Sequence, residues 1–328
     1  PTWNVGGTWS IDQESFFPKL RPLSSLSANL SYGMSGTIPY VHNALPRLQT
    51  LLPFFGDANL IEPGLYINEP ANFNLTYEKM YELNLGVNFG LFDERISTGL
   101  TFFNRQGRDL IDQVNPQGTG GFVDGLYGNV AQMTSNGIEV SLTTQNIRSK
   151  DFSWSTSFVY SYTNSEITKL YNQGRVIELV SGNGFAKKGY PARALFSIPF
   201  AGINSEGIPM LVNEKGQITT DNINFQERNH TDFLKYEGPT DPKYTGSLGN
   251  VFSYKGFQLN VFLTYSFGNV VRLDPKFRAK YNDMSSMTQA FNNRWVQSGE
   301  EKKTDVPGIL SRREYEKNTN LRYAYNGY

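Results

Sequence analysis

Residues Phe257 to Phe267 read FQLNVFLTYSF, and every second side chain is apolar. Phe257, Leu259, Val261, Leu263, Tyr265 and Phe267 share one side, and Gln258, Asn260, Phe262, Thr264 and Ser266 share the other. A period of two is the mark of a β-strand whose faces meet different surroundings. Length adds a second constraint. A strand that crosses a membrane takes ~9–11 residues, whereas strands of soluble domains run to ~5–6. The chain carries about eight windows that meet both criteria.

Composition permits this reading. Apolar residues make up 38% of the 328, and the mean hydropathy is −0.44. No run of 18 apolar residues exists, so the sequence excludes a membrane-spanning helix. A transmembrane barrel is not excluded, because only alternate residues face lipid. Aromatics reach 14%, with 23 Phe and 19 Tyr, beside 31 Gly, which suits strands, tight turns and aromatic girdles. Thirty basic residues balance 30 acidic ones along the chain, which argues against nucleic acid as a partner. Cysteine is absent, so there is no disulfide frame, thiolate metal site or cysteine nucleophile. The first residue is Pro1, and the sequence reads as an internal piece of a longer protein.

The pattern organises the chain into strand-rich segments at 1–34, 79–104, 136–162 and 243–267, with long loops expected at 35–76, 105–135, 163–243 and 268–328. In Tyr81 to Leu91 the odd positions Tyr81, Leu83, Leu85, Val87, Phe89 and Leu91 are apolar, and Glu82, Asn84, Gly86, Asn88 and Gly90 alternate with them. Ile138, Val140 and Leu142 alternate with Glu139, Ser141 and Thr143; Trp154, Phe158 and Tyr160 alternate with Ser155, Ser157 and Val159. Tight turns are expected at Phe92–Arg95, Arg148–Asp151 and Lys255–Gly256. Short turns at one end and long links at the other describe an outer-membrane barrel, periplasm against exterior. A soluble sandwich or propeller is the competing architecture; no repeat of the ~40–50 residues typical of a propeller is present.

The ordered motifs resemble those of the SusC/RagA-type TonB-dependent transporters of Bacteroidetes outer membranes. They are Trp3-Asn4-Val5-Gly6-Gly7-Thr8-Trp9 with Phe16-Phe17, Leu26 to Gly36, Tyr81 to Arg95, Gly128-Asn129-Val130, Asn136 to Glu139, Lys188-Gly189-Tyr190-Pro191 with Phe200 to Ile203, Pro242 to Thr245, and Tyr254 to Phe257. The resemblance runs through nearly the whole chain. It implies an all-β fold, a partial antiparallel transmembrane barrel with long extracellular loops, cut from one of about 22 strands around a plug. It also implies import of oligosaccharides or peptides, a SusD-like surface lipoprotein partner, and energy from a TonB complex acting through a plug that this sequence does not contain; the final strands are also missing. The alternative is a soluble β-rich binding module or adhesin.

No catalytic constellation emerges, and the chain is read as no enzyme, with no cofactor and no metal site. His42 and His230 lie in expected loops without a second ligand at metal spacing. Gly118-Thr119-Gly120-Gly121 is not followed by a helical pattern. Asn213 to Ile218 has the outline of a calcium turn without its carboxylates, and reads as a hairpin turn. The candidate functional residues are two faces of one wall. Asn84, Asn88, Glu139, Ser141, Ser155, Gln258 and Asn260 are expected to face a lumen, either as a hydrated path or as packing for a plug. Leu83, Leu85, Phe89, Trp154, Phe158, Leu259, Leu263 and Tyr265 are expected to face outer-membrane lipid.

Overall fold

A computed structural model describes residues 2–17, 22–38, 45–51, 64–114, 126–182, 184–273, 288–309 and 311. Two compact units are present: Pro1–Asn172 with Tyr244–Ser266, and Gln173–Lys243 with Phe267–Tyr328. His42 and the Gly118–Gly121 segment lie outside the described residues.

The strands in chain order are β1 (Trp3–Ser10), β2 (Leu23–Thr37), β3 (Arg47–Leu51), β4 (Gly64–Glu69), β5 (Glu78–Leu91), β6 (Ile96–Val114), β7 (Leu126–Arg148) and β8 (Phe152–Leu170). They are followed by β9 (Ala194–Ser197), β10 (Phe200–Ile203), β11 (Pro209–Val212), β12 (Ile218–Thr219), β13 (Lys235–Pro239), β14 (Tyr244–Tyr254) and β15 (Phe257–Phe267). Eight of them form one sheet in the order β1-β2-β5-β6-β7-β8-β14-β15. Pairing is antiparallel throughout the registers from β1 to β14.

Short turns gather at one end of this sheet. Lys255 (φ 44°) and Gly256 (φ 89°) supply the two positive φ angles of a type I′ hairpin between β14 and β15, which matches the twist of paired strands. Phe92, Asp93 and Glu94 are all left-handed, at φ 56°, 58° and 62°, a conformation that costs non-glycine residues energy. Neighbouring strands hold them there. The Phe92 N–H donates to the Pro22 carbonyl at 2.7 Å, the Asp93 N–H to Ser24 Oγ at 2.7 Å, and Ser25 Oγ to Glu94 Oε1 at 2.6 Å. Arg95 Nη2 donates to the Gln145 and Asn146 carbonyls of β7.

The opposite end is more ordered than loop composition suggests. β6 continues to Val114 and β7 starts at Leu126, so most of the expected 105–135 loop is paired strand. A bulge near Asp109 (φ 57°) interrupts the ladder, and Asn129 stitches it. The Asn129 amide donates to the carbonyls of Thr76 and Asp109, while its Oδ1 accepts from the Thr76 N–H at 2.8 Å. Within the expected 35–76 loop, β3 and β4 form a separate two-stranded hairpin.

The second unit replaces the expected 163–243 loop, apart from its first residues, which extend β8 to Leu170. Its core gathers Val176, Leu179, Val180, Phe196, Ile198 and Leu211, with Ile223, Phe225 and Leu234 completing it. A one-turn helix, α1 (Val176–Val180), enters this core, and its first N–H groups bond to the Glu227 and Phe225 carbonyls. β10, β11 and β12 form a meander with two turns of one design. Asn204 Oδ1 accepts from the Glu206 and Ile208 N–H groups, and Asn213 Oδ1 from those of Lys215 and Gln217. The second of these is the hairpin turn expected at Asn213. Part of the expected 268–328 loop, the turns at Gln289–Asn293 and Glu300–Lys302, is folded in this unit as well.

Candidate functional site

Register carries each strand's alternation across the whole sheet. Leu85 lies opposite Leu30 of β2 and Phe102 of β6; Phe102 then lies opposite Ile138, Ile138 opposite Tyr162, and Tyr162 opposite Tyr244. Two rows further along, Phe89 meets Leu26 and Thr98, and Leu142, Phe158 and Leu248 continue it. The apolar sides of all these strands therefore coincide on one face. Leu83, Leu85, Phe89, Trp154, Phe158, Leu259, Leu263 and Tyr265 all belong to it. Leu259 and Leu263 remain 61% and 59% exposed.

Aromatic rings edge this face. Trp154 stacks on Phe252 at 5.6 Å near the short turns, and Tyr162 and Tyr244 meet at 5.1 Å towards the other end. Trp3 and Tyr32 meet edge-on at 5.5 Å. A hydrogen-bonded chain crosses the face beside the Trp154 ring. Thr144 Oγ1 donates to Asn146 Oδ1, the Asn146 amide to Thr156 Oγ1, and both Thr156 Oγ1 and Trp154 Nε1 to Asn250 Oδ1. Each of these polar side chains has a partner within the protein, which suits a surface where water is scarce.

The opposite face carries Asn84, Asn88, Glu139, Ser141, Ser155, Gln258 and Asn260. Asn88 and Ser141 close over Gly99, where an added Cβ would lie 2.9 Å from Asn88 Oδ1 and 2.7 Å from Ser141 Oγ. The Asn84 amide reaches Ser31 Oγ at 3.5 Å. This side also holds a cluster that alternation alone does not reveal. Phe103, 4% exposed, packs against Gly137. A Cβ at Gly137 would sit 2.6 Å from the Phe103 ring and 2.0 Å from the Tyr162 carbonyl oxygen, so only glycine fits. The Arg105 guanidinium covers the ring at 4.3 Å and pairs with Glu82 at 3.2 Å across the strands. The available signal was Gly137 inside a strand pattern, the mark of a close approach.

Of the two histidines, His230 belongs to the second unit. His230 is exposed, with Nδ1 3.4 Å from Glu227 Oε1. The Glu227 pKa is lowered because the N–H groups of Asn229, His230 and Arg228 donate to its carboxylate. Among the described residues no group of three or more His, Cys, Asp or Glu side chains is placed to hold a metal ion.

A wide antiparallel sheet, apolar on one face and polar on the other, with short turns at one end and long strands at the other, is the wall of an outer-membrane β-barrel. A soluble module would leave the whole apolar face in water. The chain belongs to the TonB dependent receptor-like, beta-barrel family, whose model matches residues 1–325. A TonB-dependent receptor of Formosa agariphila is 25% identical over 97% of this chain and 32% of its own length. The TonB-dependent receptor SusC of Bacteroides thetaiotaomicron is 27% identical over 81% of this chain and 27% of its own. The structure of the RagAB peptide transporter superposes with a TM-score of 0.74 at 25% identity, over 94% of this chain and 34% of that one. The chain thus spans about a third of the length of the relatives it matches. These relatives are receptors and transporters, not enzymes, and the chain's place is the outer membrane.

Proposed function

We propose that the protein containing this chain imports oligosaccharides or peptides across the outer membrane, in the manner of a SusC-type transporter. In this reading the apolar face meets lipid through Leu83, Leu85, Phe89, Trp154, Phe158, Leu259, Leu263 and Tyr265. The polar face, with Asn84, Asn88, Glu139, Ser141, Ser155, Gln258 and Asn260, lines the lumen. A SusD-like lipoprotein captures cargo outside, and a TonB complex acts through a plug. The observation that carries the reading is the coincidence of all apolar sides on one face of an eight-stranded sheet. Amide and hydroxyl groups on the other face offer donors and acceptors to a hydrated solute without binding it tightly.

Deletion of the full-length gene tests this. Growth on an oligosaccharide or peptide mixture as sole nutrient should fail and return with the intact gene, and a surface lipoprotein should co-purify with the transporter in detergent. Unimpaired growth on every such mixture, together with purification alone, would refute the proposal.

A further inference from the structure

The import reading leaves the chemistry of the cargo open, and the second unit carries a feature that bears on it. A cleft of about 740 Å³ opens beside β10. Phe200 contributes a part-exposed ring. Arg294, Lys302 and Lys303 bring three cations to the same cleft, with the amides of Asn292 and Asn293 beside them.

The neighbouring acids are occupied differently from the bases. Glu300 Oε2 accepts from the Val296 N–H at 2.8 Å and the Gln297 N–H at 3.3 Å. Glu301, outside the lining, accepts from the Gly299 N–H at 2.7 Å and from Trp295 Nε1 at 3.2 Å. Asp305 is the other acid of the lining. Among the described residues none of the three cations forms an ion pair with a carboxylate. The lining thus sets three cations against the carboxylates of Glu300 and Asp305, one net positive charge, with Glu300 turned to its own backbone and Arg294 lying over the Phe291 ring at 4.7 Å.

The segment that bears the cations is fixed before any ligand arrives. The Trp295 ring packs on Gly207 and Gly308. The Trp295 N–H donates to the Val306 carbonyl at 2.9 Å, the Gly308 N–H to the Gly207 carbonyl at 2.9 Å, and Thr304 Oγ1 to the Asn293 carbonyl at 2.6 Å. A preorganised lining spends little entropy on binding.

Resting on the import reading, we infer that this cleft binds an acidic oligosaccharide. Its carboxylate or sulfate groups pair with Arg294, Lys302 and Lys303, its hydroxyls bond to the Asn292 and Asn293 amides, and a ring face lies on Phe200. A glycan that carries both anions and hydroxyls matches a lining of cations, amides and one aromatic. A peptide captured by strand addition needs an open sheet edge, whereas this lining comes mostly from turns, one of which lies against β10.

The test uses the full-length transporter with its partner in detergent and calorimetric titration. The probes are a short oligogalacturonate, its methyl-esterified form, a sulfated oligogalactan, and an oligoglutamate of matching charge. At least one acidic sugar should bind about tenfold tighter than the neutral ester, and raised salt should narrow the gap. Lys302→Gln with Lys303→Gln should lose about tenfold, as expected for two part-exposed ion pairs. Lys302→Arg with Lys303→Arg should retain binding, which separates charge from folding. Equal affinity for acidic and neutral sugars, insensitivity to the glutamine pair, or tighter binding of oligoglutamate would each overturn the inference. Import of acidic cargo unchanged by the glutamine pair leaves the transport reading standing while this one falls. Acidic-sugar binding in a protein whose deletion impairs no uptake does the reverse.

Discussion

Replacing Leu263 by arginine places a charge at the depth where the proposed lipid face has least tolerance for it. At ~3.3 Å per residue and a tilt of ~40°, Leu263 stands about 15 Å above Phe257, the first residue of β15, near the middle of an apolar band ~25 Å tall. An arginine there costs ~2–4 kcal/mol, roughly a 30- to 900-fold change in the folding equilibrium. Thr264 is the control. It neighbours Leu263 in the same strand, at nearly the same height, and points to the opposite face. Thr264→Arg should change stability by less than ~0.5 kcal/mol, as exposed substitutions usually do. Full-length protein refolded into lipid vesicles and titrated with urea, followed by tryptophan fluorescence, measures both. Equal losses at the two sites, or a larger loss at Thr264, would refute the assignment of the faces.

Three further outcomes follow from the geometry. Gly137→Ala should cost more than ~1–3 kcal/mol, because the new methyl meets a backbone oxygen that cannot move aside, and less assembled barrel should appear as heat-modifiable protein in outer-membrane fractions. Leu179→Ala, at a side chain 1% exposed, should loosen the second unit by ~2–5 kcal/mol, read as faster amide exchange across residues 176–234 with the sheet unaffected. Acid should weaken the same unit. The Arg193 hydrogen bonds hold Asp241 below the usual aspartate value. Burial opposes the charge of Glu178, but its bonds to Arg175 outweigh that and leave it low as well. Both pKa values are depressed, so their stabilisation is complete above the unfolded value near ~4 and is lost as pH falls through the folded ones. Proteolytic nicking of the unit should rise below about pH 4, and Asp241→Asn should flatten that response.

The sheet was legible where its faces meet unlike media. Phe257–Phe267 matches its expected limits residue for residue, because Phe257, Leu259, Val261, Leu263, Tyr265 and Phe267 keep the period of two to the last position. Beyond Asn104 the contrast fades. Arg105, Gln106, Arg108 and Asp109 are polar on both sides, so hydrogen bonding to β7 extends the strand with no alternation to announce it. The core of the second unit was illegible for another reason. Strands of a few residues, such as Ala194–Ser197, are too short to establish a period, and Val176, Phe196, Leu211 and Phe225 are collected by turns rather than by spacing along one element. Asn204 and Asn213 organise two of those turns, and only their common Asn-x-x-Gly spelling hints at it. On the polar face, Glu82 and Arg105 are far apart in sequence, and only strand register brings them together.

β7 holds 23 residues from Leu126 to Arg148. Tilted by ~40°, it climbs roughly 58 Å, more than twice the ~25 Å of the apolar band. With its short-turn end at the periplasmic surface, about 30 Å of wall stands clear of the hydrocarbon. On the import reading proposed above, the passage is closer to a well shaft than to a hole in a thin sheet. A solute released at the foot of the free-standing wall still has a bilayer's thickness to descend, and one that turns back has at least as far to climb before it diffuses away. Depth by itself lengthens residence, so weak contacts along a tall wall can retain cargo that no single strong site holds.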